Sequence, residues 1–228
     1  RLLGPAGRLR AARERWLVGS FEQAEEQIAR AGPPEGLDPE ARQSRARLLL
    51  ALGRLGEAEP ELAALARLRP DDPVPQAHLR LLRLLASPGA AERLERARRP
   101  RSGRPYLDTA AFGELILNLG LQTGDPDFPG LALEQLAPAV ELFPGKTSLL
   151  NNYAIALAKV GRPAEAAAIF RRALDIDPDD ARTRFNLGML LERSGDLPEA
   201  IHQYRQAFRL DPALPGPGER LRLLGAAP

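Results

Sequence analysis

Residues Thr147–Asp180 read TSLLNNYAIALAKVGRPAEAAAIFRRALDIDPDD, and the apolar pattern breaks once, at a glycine. Before the break, Leu150, Tyr153, Ala154 and Leu157 recur at helical spacing on one face. Gly161 has the place of a residue that closes a helix in a left-handed conformation. Pro163 follows where the next helix opens and a missing N–H does no harm. Ala166, Phe170, Ala173 and Leu174 form the stripe of that second helix, and Asp177-Pro178 ends the unit. The stretch predicts a helix–turn–helix hairpin with small residues where the two helices approach most closely.

The hairpin repeats. Asn118, Asn152 and Asn186 stand 34 residues apart, as do Gly120, Ala154 and Gly188. The same interval separates Ala132, Ala166 and Ala200, then Leu136, Phe170 and Tyr204, then Pro144, Pro178 and Pro212. A fixed period of this length marks a solenoid, in which each unit buries its apolar face only by stacking on a neighbour. Such an array works through its surface rather than through one deep catalytic pocket.

Numbered from Thr147, positions 7, 8, 11, 15, 20, 24, 27 and 32 are Tyr153, Ala154, Leu157, Gly161, Ala166, Phe170, Ala173 and Pro178. In Ala181–Leu214 they are Leu187, Gly188, Leu191, Gly195, Ala200, Tyr204, Ala207 and Pro212. In these residues the chain resembles the tetratricopeptide repeat family. Leu150 and Arg184 replace the aromatic residue usual at position 4. The resemblance implies an all-α fold of about six helical hairpins in a right-handed superhelix, with a protein partner held in the concave groove.

Upstream the pattern is weaker. Pro39–Asp72 supplies Arg45, Ala46, Leu49, Gly53, Ala58, Leu62, Leu65 and Pro70, while Ala11, Ala12, Gly19, Phe21, Ala24, Ile28 and Ala31 fit a repeat at about 5–34. Residues 73–106 are expected to hold an apolar helix from about Val74 to Leu85, a Ser87-Pro88-Gly89 turn and a short, very basic helix. In the next repeat, about 107–146, the breaker-rich turn Gly124–Gly130 should end the first helix early. Repeats at 147–180 and 181–214 follow, then a capping helix at about 217–225 over the last apolar face. The expected organisation is a single solenoid over 1–228.

Composition narrows the function classes. With 44% hydrophobic and 27% charged residues among 228, the chain has the makeup of a folded protein. The net charge of +2 gives no electrostatic case for nucleic acid. Residues 1–105 carry 20 basic and 14 acidic groups, residues 106–228 carry 12 and 16. Arginine outnumbers lysine so strongly, with only Lys146 and Lys159, that genomic codon bias is the first explanation. No cysteine is present, which removes disulfides and thiol chemistry. No apolar run approaches the ~18 residues of a membrane span. A chain that begins at Arg1 is expected to lack a start, a signal peptide or a neighbouring domain; cytoplasmic and periplasmic locations both stay open.

Chemical motifs do not assemble. Pro144-Gly145-Lys146-Thr147-Ser148 imitates a phosphate-binding loop, but Val140 stands where its first glycine belongs. His78 and His202 are isolated, with no second ligand at metal spacing, and are expected as surface or partly buried helix residues. Asp175, Asp177, Asp179 and Asp180 suit the start of the following helix better than a calcium loop. Arg93, Arg96, Arg98, Arg99, Arg101 and Arg104 form one basic run, expected as a solvated helix end, with an anionic partner or membrane surface as the second reading. No catalytic residue, cofactor or metal is expected.

The interaction surface follows from helix geometry. Positions 7, 8 and 11 of each first helix turn toward the second helix, leaving positions 2, 5, 6, 9, 12 and 13 on the other side. In the family that side lines the groove. The resemblance therefore implies a peptide-binding set of Asn118, Asn152 and Asn186 at position 6, Leu117, Asn151 and Phe185 at position 5, Leu121, Ile155 and Met189 at position 9, and Arg182 at position 2. An asparagine amide can pair with a peptide N–H and C=O together, so a ladder of them would hold an extended backbone while apolar neighbours take its side chains. The blander alternative pairs these amides with a neighbouring helix. A carboxylate clamp, another groove chemistry of the family, lacks its first pair here, where Leu117 and Leu121 stand, and has Asn186 in place of arginine. The expected function is a non-catalytic scaffold for a peptide or helix of a partner protein. Alternatives are the substrate-recruiting region of a larger glycosyltransferase or sulfatase, or an assembly factor for a bacterial pilus or secretion machine.

Overall fold

The structure, a computed structural model, describes residues 3–17, 21–87, 94, 98–101, 104–107 and 109–227. The chain divides into two compact units, Arg1–Ile116 and Leu117–Pro228. The fold is all-α apart from one short ribbon among the described residues.

In the first unit, α1 (Pro5–Leu17) and α2 (Phe21–Arg30) form one hairpin, and α3 (Pro39–Ala51) and α4 (Leu55–Leu68) the next. A further helix, α5 (Pro73–Leu85), packs on α4. Leu9, Ala12, Trp16, Ala24, Ile28, Leu49, Ala58 and Leu62 share one buried core. Asp38 caps α3 by accepting from the Ala41 N–H at 2.8 Å, and Asp72 accepts from the Val74 N–H at 3.0 Å before α5. Each cap satisfies a backbone donor that the first helical turn leaves free.

The expected basic helix after α5 is corrected in part. Arg98–Arg101 (β1) and Arg104–Leu107 (β2) pair as an antiparallel ribbon in which Arg101 faces Arg104 and Pro100 faces Pro105. Pro100 and Pro105 both disfavour a continuous helix here, because each removes a backbone donor and clashes with the preceding turn. Leu94 is helical and buried; Gly19, Pro88, Gly89, Arg93 and Arg96 lie outside the described residues. His78 is also corrected: it is 3% exposed on α5, its Nδ1 2.9 Å from the Val74 carbonyl.

The second unit begins within α6 (Thr109–Thr123) and continues through α7 (Phe128–Leu142), α8 (Thr147–Lys159), α9 (Pro163–Ile176), α10 (Ala181–Arg193) and α11 (Leu197–Leu210) to α12 (Pro217–Leu223). From α7 onward each helix packs on its successor. α6 ends at Thr123, two residues earlier in the repeat register than α8 and α10, and the breaker-rich turn follows. Ala154, Leu157, Ala166, Phe170, Leu187, Ala200 and Tyr204 form the core. A Cβ on Gly188 would lie 2.6 Å from the Tyr204 ring, so only glycine allows this larger aromatic where the preceding hairpin pairs Ala154 with Phe170. Leu221 of α12 is fully buried on the last hairpin.

One turn recurs in both units. At Gly53, Gly161 and Gly195 the backbone φ is 75°, 81° and 86°. The next residue's N–H returns to a carbonyl five residues back, at 2.8 Å for Arg54 to Leu49, 2.9 Å for Arg162 to Leu157 and 3.0 Å for Asp196 to Leu191. This double closure satisfies the last carbonyls of the first helix and turns the chain into the second. Pro144–Ser148, the imitation phosphate loop, is the turn between α7 and α8 together with the first two residues of α8.

Candidate functional site

The first helices of three hairpins, α6, α8 and α10, carry the residues singled out by the repeat, and the structure separates them into two sets. Position 5 is inside. Leu117 is 1% and Asn151 6% exposed. Phe185 is half-buried, its ring centroid 5.7 Å from that of Tyr204, and a Cβ on Gly216 would collide with it. Leu117 and Asn151 are therefore not open to a partner, and Phe185 sits beneath the segment that leads into α12. At Asn151 and Phe185 the next structural element stacks, Thr183 and Asn186 on the first and Gly216 on the second, which is why these side chains are covered.

The asparagine ladder also divides. Asn186 donates through Nδ2 to Asn151 Oδ1 at 2.9 Å, and Thr183 Oγ1 donates to the same oxygen at 3.2 Å. Thr183 is fully buried and lies 2.6 Å from Asp180 Oδ2, the N-cap of α10. A chain of side-chain bonds thus ties α8 to α10, and the amide of Asn186 is part of it. A buried acceptor such as Asn151 Oδ1 needs these partners, since leaving it bare would cost about 1–3 kcal/mol. Asn118 is exposed and Asn152 half-buried; among the described residues neither side chain makes a hydrogen bond.

Positions 2, 6, 9 and 13 lie within a narrow sector of a ~3.6-residue turn and form one stripe along each helix. On α8 it reads Ser148, Asn152, Ile155 and Lys159; on α10, Arg182, Asn186, Met189 and Arg193. On α6 the members in the second unit are Asn118 and Leu121. Leu121 is 44% and Met189 42% exposed, large apolar side chains left in solvent by helices whose other faces are packed. Lys159, Arg182 and Arg193 are exposed, and among the described residues none has a carboxylate partner. Ser148, Lys159 and Arg193 were not singled out by their residue types; the register alone would have found them.

Position 12 is closed off at the end of the array. Glu192 accepts from Tyr204 Oη at 2.7 Å and from Arg220 Nε at 3.0 Å, and its other oxygen accepts from Arg220 Nη2. The Arg220 guanidinium, aided by the Tyr204 hydroxyl, holds the Glu192 carboxyl below its usual range. Burial, then the bond to Glu192, pushes the Tyr204 hydroxyl above its own. This fork fixes α12 over the last hairpin and leaves no free carboxylate at that point of the surface.

The acidic cluster has the structural role expected of it. Asp180 accepts from the N–H groups of Arg182 and Thr183, and Asp177 from that of Asp179. Among the described residues no group of three or more His, Cys, Asp or Glu is placed to hold a metal ion. No described helix is long and apolar enough to cross a membrane.

Comparison with known proteins agrees with the repeat. A family model described as tetratricopeptide repeat matches residues 146–213. The small glutamine-rich tetratricopeptide repeat-containing protein 2 of Mycosarcoma maydis is 31% identical over 84 residues, 37% of this chain. The match spans 24% of that relative's length. Among solved structures, TTC0263, a thermophilic TPR protein of Thermus thermophilus, aligns over 97% of this chain and 96% of its own at 21% identity and a TM-score of 0.43. The first TPR of Spaghetti (RPAP3), bound to the HSP90 peptide SRMEEVD, aligns over 51% of this chain and 90% of its own at 19% identity and a TM-score of 0.44.

Proposed function

We infer from the family to which this chain belongs, the tetratricopeptide-repeat proteins, that it is a protein-interaction scaffold, and we propose that the second unit holds the partner. The bound segment lies across α6, α8 and α10 on the stripe of positions 2, 6, 9 and 13. The observation that carries this reading is the pairing of unbonded amides with apolar side chains on one stripe: Asn118 beside exposed Leu121, and Asn152 beside partly buried Ile155, with exposed Met189 next along the array. Asn118 and Asn152 supply register by pairing with the backbone of the bound segment. Leu121, Ile155 and Met189 supply affinity, about 1.5–3 kcal/mol for each apolar side chain fully buried. Asn186 serves both roles less freely, because its amide already bridges to Asn151. We read the scaffold as non-catalytic on its likeness to tetratricopeptide-repeat proteins.

The test is affinity capture with the whole chain, the bound proteins being identified by mass spectrometry. Asn152→Ala with Met189→Asp should keep the wild-type helicity and lose the partner. A variant altered on a second helix, Arg171→Glu, should keep both. Equal capture by all three proteins would place the partner elsewhere and defeat the proposal.

A further inference from the structure

The basic run, which the partner stripe does not use, is gathered by the ribbon. Residues 98–107 hold four arginines and no carboxylate, and the nearest acidic residues in sequence, Glu95 and Asp108, stand before β1 and after β2. Positions along a strand alternate between its two faces, and register partners in an antiparallel pair share a face. The register of Arg99 with Tyr106 and of Arg101 with Arg104 therefore places three arginines and a tyrosine on one face. Arg98, Leu107, Pro100 and Pro105 fall on the other.

Such a ribbon is unfavourable by itself. Like charges at directly facing positions, here Arg101 and Arg104, oppose pairing. A two-stranded ribbon is marginal in water even without them, and among the described residues this sheet has no third strand. Negative charge from outside the ribbon removes the repulsion. Strand addition is a poor way to deliver it. Facing prolines exchange no N–H bonds, so Pro100 and Pro105 form a non-bonded pair of the ladder and their missing donors fall on the outer edges. Each edge is thereby blunted against a further strand, and a face is left to make the contact.

We propose that the face of the ribbon carrying Arg99, Arg101 and Arg104 docks this protein on an anionic phospholipid surface. A guanidinium fork matches phosphate oxygens in plane and number of donors. Tyrosine, here Tyr106, suits the headgroup level, where one end of its ring is apolar and the other wet. A nucleic-acid duplex asks for a broad basic footprint, and the net charge of the whole chain is only +2. One aromatic residue gives no stacking platform for a single strand. A lipid surface asks only for a local cluster of cations. The docking is independent of the partner stripe, whose residues lie on other elements.

The experiment sediments the whole chain with sucrose-loaded vesicles of phosphatidylcholine, alone or mixed with phosphatidylglycerol. Each arginine near an anionic surface is worth about five-fold in binding, so three should favour the mixed vesicles by on the order of a hundred-fold, and salt should erode the preference. Arg99→Gln with Arg101→Gln and Arg104→Gln should bring the two vesicles to within about five-fold of each other at unchanged helicity. Arg104→Gln alone removes the facing like charges, so it should fold at least as well as the wild type and weaken binding about five-fold. Arg67→Gln with Arg171→Gln and Arg209→Gln removes as much charge from exposed helix positions and should keep the preference. An equal loss in both triple variants would make net charge, not the ribbon, the cause of binding and would overturn the proposal. So would unchanged binding by Arg104→Gln, or a wild type that does not distinguish the vesicles. Tighter binding to a short DNA duplex that strips the protein from the vesicles would assign the ribbon to nucleic acid and overturn the lipid surface.

Discussion

The hairpins α3/α4 and α8/α9 share a backbone plan and differ in what they bury. Both turn at a glycine with positive φ, both return an arginine N–H to the carbonyl five residues back, and both fork that arginine onto a glutamate at the start of the second helix. Yet at positions 7 and 23 the later hairpin has Tyr153 and Ile169, both partly buried against its core. The earlier one has Arg45 and Glu61, with 13% and 3% of their side chains exposed and 3.1 Å apart. Arg45 also donates to the Gly32 carbonyl at 2.8 Å, and Arg42 to that of Pro34. The ion pair therefore reaches beyond its own hairpin to the loop that follows α2. Capping and small residues set the hairpin; the contents of its seam are free to change, with the desolvation of two charges as the cost.

Breaking the charged seam should produce the largest effect. Arg45→Ala strands a buried carboxylate, and urea unfolding should report a loss of about 3–5 kcal/mol. Replacing both partners, Arg45→Leu with Glu61→Leu, should restore stability to near the wild type or above it. A double variant as weak as the single one would mean that the bonds to the loop carbonyl, rather than the pair, hold this seam.

Acid should separate the two units. Burial lowers the His78 imidazole to about 4, against weaker opposition from its bond to the Val74 carbonyl. The folded protein therefore takes up a proton there less readily than the unfolded chain. The contribution to stability is complete above the unfolded value near ~6.5 and falls as the pH drops toward 4, by about 3 kcal/mol over that window. Arg47 adds to the depression and Asp72 opposes it. Glu61 works the other way, because burial raises its carboxyl and the folded state then holds that proton more firmly. Hydrogen exchange should show α5 losing protection before α8–α11 as the pH falls from 7 to 4, and His78→Leu should flatten the difference.

In the apolar hairpin the corresponding probe is volume. Ala166 is fully buried where α8 and α9 meet, so Ala166→Leu should cost about 1–3 kcal/mol, seen as a lowered melting temperature. The smallest effect should come from the cap. The Arg220–Glu192 fork has 38% and 16% of its side chains exposed. Its loss in Arg220→Ala should cost about 0.5–1 kcal/mol and show as faster exchange confined to α12.

Much of the fold was legible because it is local. The glycine turns, Pro163 at a helix start and the aspartate caps each act within a few residues, and the period multiplies the signal. The short helix over the last hairpin was legible for the same reason, from a Pro/Gly break and a final apolar residue, Leu221. The ribbon was missed because arginine-rich sequence without an apolar pattern carries no periodicity, although Pro100 and Pro105 argued against a continuous helix. His78 was misjudged because a single polar residue in an apolar helix does not say which face is covered.

The site was legible only by half. Sequence by itself determined the hairpins, their turns and the sector of each first helix that faces away from its partner helix, because ~3.6-residue geometry is a local property. It could not divide that sector. Only the tertiary structure decided that Leu117 and Asn151 are covered while Leu121 and Met189 are open, and that Asn186 is tied to Asn151 while Asn118 and Asn152 are unbonded. The physical reason is that burial and hydrogen-bond partners come from the next hairpin, 32 to 35 residues away for Thr183 and Asn186 on Asn151. A period says that such neighbours exist; their packing selects which atoms they cover.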